Sequence, residues 1–303
     1  MIKWIGHIKA TGGFRKAFVR YFTKGRSNRS VGGTIFLLIF IALFAAFAVF
    51  PVLFMAGNAF KPLRELYRYP PKVLPQNPTG QNFKDLLEYA SDSLVPFTRY
   101  LFNTGALVVL GCLGQILLSA MAAFPLAKSS FRGKKLMSNL VVYALMFSGA
   151  VTAVPNYIIL TKLGLMDSLW AVILPSFAST LGLYLLQNFM EMLPDSLIEA
   201  AKIDGASYFK TLVSIILPVV KPALMTVFIF TFQNLWGNTG GSVLYTENIK
   251  PLSYMLSRIA STGIARQGMA SAASLLLFIL PVLIFVITQS NVMETMATSG
   301  MKD

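Results

Sequence analysis

The reactive residues of this 303-residue chain are few: twelve acids, one histidine (His7) and one cysteine (Cys112). One histidine and one cysteine cannot assemble a Cys/His zinc site, so no metal ligands are assigned. No G-x-S-x-G elbow and no G-x-x-x-x-G-K-[ST] loop occurs, so neither hydrolysis by an activated serine nor nucleotide binding through a P-loop is expected, and no catalytic residue is assigned. A lone cysteine also excludes an intrachain disulfide. What remains able to recognise a ligand is a set of amides in otherwise apolar surroundings: Asn103, Gln115, Gln187, Asn188, Gln233 and Asn234, with Ser119. An amide both donates and accepts, which suits hydroxyl-bearing ligands. The same groups serve equally well as hydrogen-bond partners between helices in lipid.

A second constellation is Ser196-Leu-Ile-Glu199, an S-x-x-E pattern that predicts a capping box and the start of a helix. Gly205, after Asp204, predicts its end, because glycine takes the left-handed conformation without a Cβ clash. Ser207 then caps a helix through Pro218. Such a short helix needs packing to persist. Ala200 and Ala201 let another backbone approach closely, and Glu199 and Asp204 offer charge to a basic partner. From the residues alone, an ordinary connection is an equally good reading.

The elements that must carry these residues are apolar. The chain is 55% hydrophobic and 13% charged with a mean hydropathy of +0.64, beyond what a soluble core of this size uses. Runs at 34–56, 101–124, 137–160, 169–190, 212–235 and 272–290 predict six membrane spans, each long enough for a hydrocarbon layer of roughly 30 Å. No acid lies well inside a span, as the cost of charge in lipid requires. The net charge of +14 concentrates in residues 1–33 and in the loop at 128–135, which places the N-terminus, that loop and, with six spans, the C-terminus on the cytoplasmic side. Topology and anionic lipid account for the charge, so no nucleic-acid partner is expected.

Five prolines between 62 and 78 predict an extended external stretch, followed by a short amphipathic helix at "QNFKDLLEYA". The expected organisation is a basic interfacial arm (1–33), a six-span membrane domain (34–290) and a cytoplasmic tail (291–303). Within the membrane domain, 57–99 and 237–270 are external loops and 191–211 is a cytoplasmic segment.

"EAAKIDGA" followed by "IILP" resembles the EAA signature of binding-protein-dependent ABC permeases, matched at Glu199, Ala200, Ala201, Gly205, Ile215, Leu217 and Pro218. "AAFPLAKSSFRGKK" and "VPNYIILTKLGLMDSLWAVILPS" resemble the carbohydrate-uptake branch. The ending "SNVMETMATSGMKD" resembles a subgroup handling polysaccharide-derived oligosaccharides. The resemblance implies an all-α ABC importer permease fold in a bacterial cytoplasmic membrane. In it, Ser196, Glu199, Ala200, Ala201, Asp204 and Gly205 would belong to a coupling helix docked on a cytoplasmic ATPase dimer. ATP and Mg would be bound by that ATPase, with no cofactor on this chain. Further implied partners are a second homologous permease, an extracytoplasmic sugar-binding protein near Gly240, Gly241, Tyr245 and Tyr254, and an oligosaccharide substrate. The competing class is an autonomous secondary transporter or channel, which the lack of intramembrane acids disfavours.

Overall fold

The computed structural model describes residues 31–91, 95–261, 263 and 266–299, and divides into two compact units at Leu53 and Phe54. Residues 1–30 of the expected N-terminal arm lie outside the described residues, and 31–33 already belong to the first helix. In the first unit, residues 31–53 form the larger part of helix α1 (Val31–Ala59), whose segment Ile35–Ala59 has a hydropathy of 2.9. A helix apolar on every side is at home in lipid rather than at a water boundary.

The second unit begins in the last turns of α1 and contains α2 (Gln81–Ser91), α3 (Phe97–Lys128), α4 (Lys134–Leu145), α5 (Gly149–Lys162), α6 (Trp170–Phe177) and α7 (Thr180–Glu191). It continues with α8 (Ser196–Ile203), α9 (Tyr208–Val219), α10 (Lys221–Trp236), α11 (Leu252–Ala260) and α12 (Gln267–Ser299). No strand occurs among the described residues. Between α1 and α2 the proline-rich stretch holds one helical turn, Leu63–Leu66, and is otherwise a series of bends rather than the extended chain expected, because its contacts fold it back on itself. The buried Lys61 ties it down: its ammonium donates to Asn58 Oδ1 at 2.7 Å and to the Lys72 carbonyl, and lies 5.2 Å from the Phe54 ring centroid. Asn82 completes the knot by donating to the carbonyls of Ala59 and Lys61, both at 2.8 Å.

α3 is the most deeply buried of the long helices. Its 32 residues extend roughly 48 Å at 1.5 Å per residue. At its first turns Tyr100 packs with Leu86, Leu256, Ile259 and Ala272, joining α2, α11 and α12 in one cluster. In its middle, Leu107 and Cys112 pack with Ile173 and Leu235; toward its end, Ala120, Ala123 and Phe124 pack with Leu186, Met190, Ile216 and Val227. The close crossings need small residues. A Cβ at Gly111 would lie 2.3 Å from Leu235, and one at Gly114 2.1 Å from the Phe177 ring.

Among the described residues, four helices are long and apolar enough to cross a membrane, and up to six if each of two bent pairs counts as one span. The expected spans at 34–56, 101–124 and 272–290 fall within α1, α3 and α12, although α12 continues past residue 290 to Ser299. The span expected at 169–190 is Trp170–Glu191, interrupted at Ala178 and Ser179. The expected spans at 137–160 and 212–235 are not straight: α4 and α5 meet at 108°, and α9 and α10 at 83°. Pro218 and Pro222 flank the second corner, and each removes one backbone donor there. Residues Leu212–Ile216 open into a π-turn, in which the Leu217 amide donates to the Leu212 carbonyl five residues back. The first corner is started again by Ser148, whose hydroxyl accepts from the Ala150 amide at 3.3 Å.

The tight crossing at Gly114 gives the first expected outcome. Gly114→Val should destabilise the chain by about 1–3 kcal/mol, the usual cost of overpacking, while Gly105→Ala, which meets open space, should leave it unchanged or slightly raise it. Thermal aggregation of the detergent-solubilised chain measures both.

Candidate functional site

α3 relates two functional regions to one another because its ends hold different things. At its N-terminal end, Asn103 donates to the carbonyls of Asn248 and Lys250 at 2.8 and 2.9 Å, and the Tyr100 hydroxyl donates to Glu247 at 2.7 Å. At its C-terminal end, the Lys128 ammonium donates to the carbonyls of Glu191 and Leu193 and to Asp195 Oδ1 at 2.7 Å. The segment 237–250 and the segment 191–211 therefore stand at opposite ends of one rod.

Between them lies a cavity of about 590 Å³, walled by α3, α5, α6, α7, α10 and residues 238–243 of a strap that runs from 238 to 246. Its polar lining includes Gln115, Asn156, Ser179, Thr231, Asn234 and Asn238, and none of its lining residues is charged. Gln115 is held by the Thr231 hydroxyl, which also reaches the Val227 carbonyl at 2.8 Å. Ser179, at the α6–α7 break, accepts from the Gly182 amide at 3.2 Å. Gly182 leaves room for the Gln115 amide, since a Cβ there would lie 2.7 Å from Nε2. Tyr157 and Phe230 offer aromatic surface, 41% and 50% exposed. Amides, hydroxyls and ring faces without charge make a site for a neutral, hydroxyl-rich surface.

Of the six amides singled out from sequence, Gln115 and Asn234 line this cavity. Asn103 instead fastens the 248–250 backbone, Gln187 donates to Ser138 and Glu191 at 3.0 Å each, and Asn188 donates to its own helix at Tyr184. Gln233, two residues from Thr231, is exposed and is not among the lining residues. The lining residues missed from sequence include Asn156, an amide beside Pro155 in an apolar run that the in-span polar criterion was able to find. Thr231, Ser179 and Asn238 carry no such signal.

Near the mouth, Gly240 and Gly241 line the cavity in left-handed conformations (φ 79° and 45°). Asp167, also left-handed at φ 57°, donates its amide to the Val243 carbonyl at 2.9 Å. Its Oδ1 accepts from the amides of Tyr245 at 2.6 Å and Thr246 at 2.8 Å, and its Oδ2 from the Thr246 hydroxyl. These bonds, from the Thr246 hydroxyl first, hold the Asp167 carboxyl below its ordinary pKa. Its contribution is thus fully present above the ordinary carboxylate pKa and is lost as pH falls through the lower folded value. Tyr245 meets Tyr157 hydroxyl to hydroxyl at 3.3 Å, and Tyr254 lies under the Lys250 ammonium, 4.1 Å from the ring centroid.

At the other end, α8 departs from the expected capping box. Its N-cap is Asp195, one residue earlier than Ser196, and no side chain caps it. The cause is electrostatic: Lys128, whose side chain is 5% exposed, draws the Asp195 carboxylate away from the backbone amides and lowers its pKa. Glu199 and Ala200 are exposed, Ala201 is buried, and Ile203 is 86% exposed. Gly205 ends the helix at φ 72°, with the Ala206 amide returning to the Ala201 carbonyl at 2.9 Å. Ser207 caps α9 as expected, accepting from the Lys210 amide at 3.2 Å. Ile198 and Leu193 pack on the cluster that holds Leu212, Ile216 and Val227, and Val227 also lines the cavity. An apolar path therefore runs from α8 to the cavity wall.

The sequence profile described as "Binding-protein-dependent transport system inner membrane component" matches residues 115–294. Protein LplC of Bacillus subtilis (strain 168) is 30% identical over 224 residues, covering 73% of this chain and 74% of LplC. The polygalacturonan/rhamnogalacturonan transport system permease protein YtcP of the same organism is 31% identical over 182 residues, covering 56% of this chain and 63% of YtcP. A chain in the crystal structure of a bacterial ABC transporter that imports the acidic polysaccharide alginate superposes with a TM-score of 0.76 at 19% identity, covering 87% of this chain and 99% of that one.

Lys128 is the buried fastening of the segment before α8. Lys128→Met should open the turn at 191–195 by about 2 kcal/mol, the scale of hydrogen bonds to a charged group, and speed amide exchange at 193–199 by about thirtyfold. Asp195→Asn should change exchange far less, since that carboxylate is 76% exposed.

Proposed function

Because the chain belongs to the family of inner membrane components of binding-protein-dependent transport systems, we propose that it is one permease subunit of an ATP-driven importer of oligosaccharides. It sits in the bacterial cytoplasmic membrane and forms half of the path with a second, homologous permease. The observation that carries the reading is α8: an exposed Glu199 and Ala200 on a short helix fixed by Lys128 and packed, through Ile198, on the cluster that reaches the cavity.

In this reading α8 is the coupling helix and docks on a cytoplasmic ATPase, with Glu199 facing a basic group of that partner. ATP closes the ATPase dimer, the helix moves as a rigid body, and α9, joined to it through Gly205 and Ser207, carries the displacement into α10. Coupling of this kind works only if the ATPase binds the inward- and outward-facing states with different affinity. The cavity supplies this subunit's share of the sugar path, with Gln115 and Asn234 as hydroxyl partners and Tyr157 and Phe230 as stacking surfaces. The polygalacturonan/rhamnogalacturonan transport named for YtcP supports a saccharide substrate. The strap at Gly240 and Gly241, with Tyr245 and Tyr254, is the surface offered to an extracytoplasmic binding protein.

The test is sugar uptake into vesicles holding this chain, the second permease and the ATPase, with binding protein added outside. Uptake should require ATP inside and vanish when the ATPase is omitted; uptake that persists without it overturns the proposal. Glu199→Ala should weaken co-purification of the ATPase about tenfold, or about 1.4 kcal/mol, with membrane insertion intact. Gly205→Pro, whose ring forbids the observed φ of 72°, should abolish uptake.

A further inference from the structure

The cavity's rim is built from two elements that approach from different parts of the chain. Tyr157 stands on α5, the second arm of the 108° corner, and Tyr245 stands at the end of the strap; their hydroxyls meet at 3.3 Å. Tyr157 lines the cavity, while Tyr245 is 56% exposed outside it. The middle of the strap is already anchored, because Leu244 is fully buried in the cluster with Leu107, Ile173 and Leu235. What apolar packing does not fix is the end that carries Tyr245.

Asp167 fixes that end. From one left-handed residue its amide takes the Val243 carbonyl while its carboxylate takes the amides of Tyr245 and Thr246 and the Thr246 hydroxyl, bracketing residues 243–246. Its two oxygens accept all three donors at once, and aspartate tolerates the positive φ better than most residues. We propose that Tyr157 and Tyr245 form a clasp across the cavity mouth, and that Asp167 is the positioning residue that holds the clasp closed. The clasp gates diffusion between the cavity and its surroundings: with it closed, Tyr157 is drawn from α5 toward the strap; with Tyr245 released, α5 and the strap separate at the rim.

The clasp is a property of this chain, and its test stands apart from the importer reading. In the purified full-length chain with Cys112→Ala, Asn234→Cys places a thiol in the cavity, and a hydrophilic maleimide reports its accessibility. Asp167→Ala and Tyr245→Phe should each raise the labelling rate about tenfold, and the double variant should equal either single one, because both open the same element. Asp167→Asn should stay within about twofold of the parent, since its Oδ1 still accepts both amides and its amide still meets the Thr246 oxygen. Unchanged labelling in Tyr245→Phe, or effects that multiply in the double variant, overturns the proposal. Should Asp167→Ala fail to fold, Thr246→Val, which removes only the hydroxyl bond, takes its place with a smaller rise expected in the same direction and unchanged labelling as the contrary result.

Discussion

Close approach along α3 is the constraint on which the second unit depends. In lipid, helices gain little from hydrophobic exclusion, so they associate by packing and by shared hydrogen bonds. α3 meets both demands along its length. Gly111 and Gly114 bring α10 and α6 against it, Gln115 reaches Thr231, and its two ends fasten the segments 247–250 and 191–195. With both fastenings on one helix, the separation of the two segments is set by α3 alone. The cavity lies between them because α6, α7 and α10 lean on α3 at small residues and separate elsewhere.

The breaks in the helices are where that geometry meets the backbone's need for partners. A corner of 83° or 108° within apolar sequence exposes amides and carbonyls that lipid cannot satisfy. The chain resolves this locally. Ser148 and Ser179 restart α5 and α7 with side-chain acceptors, and the π-turn at Leu212–Ile216 rearranges the bonds ahead of Pro218. The Ile215, Leu217 and Pro218 positions of the signature thus coincide with a physical device: a turn already opened before the corner into α10.

Legibility in the sequence followed the same physics. Long uniform runs such as α1, α3 and α12 are visible because composition and length suffice to define them. The short helix α8 was visible because its terminators are local: Gly205 at its end and Ser207 beyond it. Its start was displaced by one residue because the deciding partner, Lys128, lies 67 positions away, and no local pattern encodes that. α11 was read only as part of a loop, although Leu252, Met255, Leu256 and Ile259 recur at helical spacing and are all buried. The amides show the limit most clearly: six were legible as polar residues in apolar surroundings, yet only tertiary placement separates Gln115 and Asn234, which line the cavity, from Asn103 and Gln187, which fasten backbone and neighbouring side chains.

The two regions differ in what can move. α8 is joined to α3 by a buried ammonium with three acceptors and to the interior by Ile198, so a force on its exposed face is resisted by Lys128 and transmitted through the packed cluster rather than absorbed in the turn. Val227 belongs both to that cluster and to the cavity wall, and a Cβ at Gly182 would stand 3.2 Å from it. Glycine at 182 is thus what lets Val227 and the Gln115 amide approach α7 at the same level. The opposite wall, α5, meets the strap through paired hydroxyls, and the connection after it meets the strap through the Asp167 bonds, polar contacts that water can replace one by one. The α8 end is thus held by apolar packing around a buried ammonium, and the rim by polar contacts alone, so the rim is the more weakly fastened of the two.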